Sequence, residues 1–131
     1  MITTTDVTDV TPDMIRPKAQ AVLRRDGWIQ DNYADRRTGK RGVCLVEAIG
    51  RAAGLPPFTL ARKKLRRADA HLHPQWEAAH NLIDELATHL GRDPENDELT
   101  PRWWLTQWND WCDRTPEQVL AALEPPAVEK A

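Results

Sequence analysis

The residues with chemical reach fall in four places: Cys44, the histidines at 71, 73, 80 and 89, the run Arg62-Lys63-Lys64-Leu65-Arg66-Arg67, and the polar pair Asn109-Asp110 set among tryptophans. Cys44 opens an apolar segment with Lys40, Arg41 and Arg51 close by in sequence, conditions that favour a thiolate. A nucleophile also needs a base and an oxyanion site, and neither lies near it in the chain. Because Cys44 shares a helical face with Leu45, Ala48 and Ile49, the preferred reading is a small buried thiol; a Cys44-dependent enzyme is the alternative.

The histidines invite a metal reading that their spacing does not support. On a helical wheel His80 and His89 fall roughly 180° apart, and His71-Leu72-His73 is a half-site with no carboxylate at a suitable distance. The acidic stretch Asp93 to Glu98 lacks the glycine and distant glutamate of a calcium loop. No metal and no cofactor is expected.

The basic run is the best candidate for a partner surface. If residues 60 to 70 form a helix capped by Thr59, Arg62 aligns with Arg66 and Lys63 with Arg67, giving two rows of donors. Trp103 is the second candidate, since it falls roughly 80° outside the apolar arc of its helix. Asn109 and Asp110 read as structural: Asp110 can pair with Arg114 four residues on, and the Asn109 amide can tie down the backbone of the 28–42 loop.

Helix signals place these groups. Thr11-Pro12, Thr100-Pro101 and Thr115-Pro116 each combine a capping hydroxyl with a proline that loses no bond at the first helical position. Thr115 with Gln118 forms a capping box. The first helix carries Ile15, Ala19, Val22 and Leu23 on one face and ends at Gly27; Pro17 predicts either a kink or a regular helix only from about Arg16 onward. A second helix runs through 43–54 with Cys44, Leu45, Ala48, Ile49 and Ala52 inward. A third starts at Pro74, with Trp76, Ala79, Ile83, Leu86, Ala87 and Leu90 inward. The tryptophan helix turns Trp104, Leu105, Trp108, Trp111 and Cys112 to one side, so the core is expected around Trp104, Trp108 and Trp111, with Trp103 the most exposed of the four.

No segment alternates β-branched residues over a strand's length. The expected fold is an all-α bundle of five to six helices, with an irregular loop or at most one short hairpin at 28–42. At 131 residues the chain is read as one domain, spanning 11–124 between flexible tails at 1–10 and 125–131. No apolar run is long enough for a membrane and no signal segment is evident, which points to a cytoplasmic protein with reduced thiols. A net charge of −2 conceals segregation: residues 16–67 hold fourteen Lys/Arg against four Asp/Glu, and residues 68–131 hold four against thirteen. Such a division bears on partners and association rate.

Gly27-Trp28 with Gln30, Cys44 entering an Ala-rich helix, and Trp108-Asn109-Asp110 followed by Arg114-Thr115 resemble a family of small bacterial (actinobacterial-type) and phage proteins, a domain of unknown function. The likeness covers residues 11–54 and 104–123. It implies a single small domain whose first and last helices meet near the tryptophans, and it implies no mechanism; Trp28, Trp104, Trp108, Asn109, Asp110, Arg114 and Thr115 are read as structural residues.

The functional expectation is a non-enzymatic binding or regulatory protein. It would act on a macromolecular partner, foremost a protein, through Arg62, Lys63, Arg66 and Arg67 or through Trp103. A nucleic-acid-binding protein using the 62–67 run is a further alternative, disfavoured by the absence of a known reading motif.

Overall fold

The computed structural model describes residues 10–31, 33 and 42–125. Apart from their edge residues, the two expected tails and the middle of the 28–42 connection lie outside the described residues. Among the described residues five α-helices follow one another: α1 (Pro12–Asp26), α2 (Leu45–Ala52), α3 (His73–Leu90), α4 (Pro101–Asn109) and α5 (Pro116–Ala122). Among the described residues there is no strand, and an isolated parallel bridge joins Trp28 to Val43; the loop or short hairpin expected within 28–42 falls mostly outside the described residues.

The three Thr-Pro signals start helices as expected. Thr11, Thr100 and Thr115 each accept a first-turn N–H, and Thr115 with Gln118 closes a reciprocal capping box. α1 runs unbroken through Pro17 from Pro12, so the later start does not occur. Pro17 stands early in the helix on its exposed side, and the one backbone bond it deletes, to Asp13 O, belongs to the first turns.

α2 is the centre of the bundle. Residues 43–50 are buried on every side, because α1, α3 and α4 all pack on this one short helix. Close approach needs small residues: a Cβ on Gly50 would sit 3.0 Å from Leu60 Cδ1, and one on Gly42 only 2.2 Å from Ile29 Cγ2. Burying α2 in this way requires a partner for its one acid. Glu47 is buried, takes Arg51 Nε at 3.0 Å, and accepts the Phe58 N–H at 2.9 Å.

The expected helix at 60–70 is absent. A 3₁₀ turn at Thr59–Ala61 gives way to bends, and a second 3₁₀ stretch, Arg67–Leu72, leads into α3. The Thr59 hydroxyl donates back to Pro56 O at 2.7 Å instead of capping a helix, and Phe58 is held at φ +66 by Glu47. With Leu60 and Leu65 as its only large apolar residues, the segment has no continuous stripe to bury, and tertiary bonds decide its path. The paired rows of Arg62 with Arg66 and Lys63 with Arg67 therefore do not exist.

The core is aliphatic: Ile15, Leu45, Ile49, Leu82, Ile83, Leu86, Leu105 and Leu123 are fully buried. The tryptophans stand at its rim. α4 stops at Asn109, and its buried face is Arg102, Leu105 and Asn109. Trp104 and Trp108 are half-buried, Trp103 is 47% exposed and Trp111 59% exposed. This corrects the expected placement of Trp111 and Cys112, both of which lie past the helix end in solvent.

Candidate functional site

Asn109 is the structural hub. Its side-chain oxygen accepts Trp28 Nε1–H at 2.6 Å and the Leu45 N–H at 3.0 Å, while its amide nitrogen donates to Ile29 O at 3.2 Å and Asp110 Oδ1 at 2.9 Å. One side chain thus satisfies the start of α2, the end of the α1 connection and the end of α4. Around it, Gln30 donates to the carbonyls of Asn109 and Trp111, and the Asp31 N–H donates to Asp110 Oδ1 at 2.8 Å. Asp110 is occupied in this way and forms no pair with Arg114. Arg114 turns to Trp108 instead, with Nε donating to Trp108 O at 2.9 Å and the guanidinium 3.8 Å above the indole.

Beside this hub lies a cavity of about 390 Å³ lined by Asp31, Tyr33, Cys44, Phe58, Trp103, Thr106 and Asp110. Asp31 and Phe58 are the only described non-glycine residues with positive φ, a conformation that costs about 1 to 3 kcal/mol and persists only where surroundings enforce it. The enforcement is alike in both: a backbone N–H held by a carboxylate, Asp110 for Asp31 and Glu47 for Phe58.

Cys44 is the N-cap of α2, its sulfur accepting the Glu47 N–H at 3.3 Å. Burial pushes its thiol up to about 12, and the Glu47 and Asp110 carboxylates act in the same direction. The basic neighbour Arg51 does not offset this, because it is engaged by Glu47 and Asp26. The helix start is present, as the sequence suggests, and the thiol is buried, the reading the sequence favoured; Lys40 and Arg41 lie outside the described residues.

A second, larger groove of about 520 Å³ runs between α3 and the start of α4. Here Arg62 and Lys63 from the bent segment meet Trp103. Arg66 and Arg67 do not line it, though they too are exposed. Among the described residues none of the four enters an ion pair. His80, Asn81 and Asp84 supply the α3 wall, and Thr100, Pro101 and Arg102 the α4 wall. His80 stacks tilted on Trp76 at 4.4 Å between ring centres, and burial, with help from the Arg102 charge, lowers its pKa below the ordinary histidine value. Among the described residues no three His, Cys, Asp or Glu side chains cluster as metal ligands.

Sequence reasoning did not single out Arg102 and Asp84. The signal for Arg102 was its spacing of three from Leu105 and seven from Asn109, which places it on the inner face once α4 ends at Asn109.

Fold and hub together define a small all-α domain in which a buried asparagine pins three segments. The chain belongs to DUF6197, a family of unknown function whose model matches residues 7–127. No curated protein and no solved structure matches it.

Proposed function

We propose that this is a non-enzymatic binding protein, with a regulatory role, that docks an acidic protein partner in the groove between α3 and α4. The observation that carries the reading is the meeting of Arg62, Lys63 and Trp103, forty residues apart in the chain, on one groove without an ion pair to satisfy either cation. Exposed unpaired cations beside an exposed indole are the elements from which hot spots are built. Charge complementarity would speed encounter and fix orientation.

The alternatives find less support. A Cys44-dependent enzyme would need a thiol that ionises readily, and this one is buried with its pKa raised. A nucleic-acid partner would meet Asp84 within the same lining, where a row of phosphates is repelled. A bacterial or phage origin, which accords with the motifs of the resemblance, and a cytoplasmic location belong to the same proposal. Among the described residues no helix is long and apolar enough to cross a membrane.

The test is affinity capture from the native host with nuclease present, comparing the wild type with R62E/K63E. A protein retained by the wild type and lost from the double reversal, with the melting temperature unchanged because exposed charges contribute about 0 to 1 kcal/mol each, supports the reading. Retention should also fall as salt is raised. Capture that survives the reversal, or that vanishes with nuclease, overturns it.

A further inference from the structure

We infer that the α3–α4 groove is an oxyanion site in which Arg102 takes the carboxylate of an acidic partner side chain, with His80 as the second polar contact. This rests on the binding reading above and names the chemistry of its partner.

Among the described residues two arginines are buried, and they are treated differently. Arg16 is 3% exposed and its charge is met by carboxylates: Nη2 meets Glu85 at 3.2 Å and Asp13 lies 3.6 Å from Nε, which itself has no hydrogen-bond partner, while Nη1 donates to Glu124 O at 3.1 Å. Arg102 is 9% exposed and has no carboxylate within 4.0 Å. Its Nη1 donates to the Tyr33 hydroxyl at 2.7 Å, and its guanidinium lies 5.1 Å from the centre of the Trp103 ring. A neutral hydroxyl and an indole face do not neutralise a buried cation, which ordinarily sits with a counter-charge.

The unused edge of Arg102 has the right shape for one. Nε and Nη2 form no hydrogen bond, and together they make the two-donor side of the guanidinium that grips both oxygens of a carboxylate. His80 lines the same groove and its Nε2 has no hydrogen-bond partner; that atom is closed off from solvent, so it meets an incoming oxygen only as the ring turns toward the groove. Thr100 and Pro101 bring the N-terminus of α4 to the same wall, and a helix N-terminus favours negative charge.

Charge count selects the source of the anion. The lining holds Arg62, Lys63 and Arg102 against Asp84, on a chain of net charge −2. One glutamate or aspartate side chain reaching Arg102 avoids Asp84, whereas a phosphodiester backbone carries its charges past it.

The test is a two-dimensional NMR titration of the full ¹⁵N-labelled chain with an acetylated, amidated hexaglutamate peptide, and separately with the oligonucleotide dT6 at equal ionic strength. The Arg102 Nε–H and Trp103 indole N–H signals report the site. Hexaglutamate should shift both saturably, and R102K, which keeps the charge and loses the fork, should weaken binding at least tenfold. H80F leaves Arg102 in place and should weaken it at least threefold, which decides the matter if R102K fails to fold. Unmoved signals, wild-type affinity in a folded R102K, wild-type affinity in H80F, or tighter binding of dT6 would each overturn the inference. Capture from the host that is lost in R62E/K63E but unchanged in both R102K and H80F would sink the Arg102 site and leave the binding reading standing.

Discussion

Trp28 and Asn109 stand 81 positions apart, and the indole N–H of one meets the amide oxygen of the other at 2.6 Å. The same oxygen receives the Leu45 N–H, so the residue that ends α4 also satisfies the first turn of α2. An asparagine can do this because it offers an acceptor with two lone pairs and two donor hydrogens on one short side chain.

Replacing Asn109 by Ala should therefore be among the most destabilising single changes in the chain. It leaves the buried Leu45 N and the half-buried Trp28 Nε1 and Ile29 O without partners; a buried orphan costs about 1 to 3 kcal/mol, so a loss of about 2 kcal/mol or more is expected in urea unfolding. N109D, which keeps the acceptor but loses the donors and adds a charge, should not rescue it. A loss below about 1 kcal/mol in N109A would mean that the three segments are held by packing alone.

The same hub explains what the sequence did and did not disclose. The Thr-Pro caps at 11, 100 and 115 are local chemistry and could be read directly, as could the aliphatic faces of α1 and α3. Asn109 as a tie for the 28–42 backbone was also legible, because a polar residue beside an apolar stripe needs a partner. The phase of the tryptophan helix was not: counting its period through Trp111 assumed that the helix continued, and it ends where Asn109 and Asp110 are claimed by the segment at 28–31. The path of residues 59–70 was hidden for a similar reason, since it is set by the Phe58 N–H bonding to Glu47, eleven positions earlier. Arg102 escaped notice because a charge on an inner helical face has meaning only once its missing counter-charge is seen.

Cys44 gives a prediction with a sign. Its folded pKa is raised by burial to about 12 from an ordinary 9.0, so over that interval the folded state keeps a proton that the unfolded state releases. The stability this contributes is complete below the unfolded value and is lost as pH rises through the folded one. Unfolding free energy should accordingly fall between about pH 9 and 12 more steeply in the wild type than in C44A. At neutral pH a maleimide should label the exposed Cys112 in seconds to minutes and Cys44 only on unfolding. Equal labelling of both thiols in the native protein would contradict the buried assignment and revive the enzyme alternative.

Arg114 supports the last prediction, because its partner is Trp108 rather than the acid four residues before it. Nε caps the Trp108 carbonyl near the end of α4, and the guanidinium lies flat enough on the indole to sit 3.8 Å from its centre. A cation over an aromatic face contributes about 0.5 to 2 kcal/mol, and a hydrogen bond from a charged donor about 1.5 to 3; R114A should lose about 2 kcal/mol by urea denaturation. R114K keeps the charge without the planar fork and should recover less than half of that. The decisive comparison is a double-mutant cycle with D110N. Asp110 is committed to Asp31 N–H and Asn109 Nδ2, so the two effects should add to within about 0.5 kcal/mol. A coupling of 1 kcal/mol or more would instead show that Asp110 and Arg114 act as a pair along the chain.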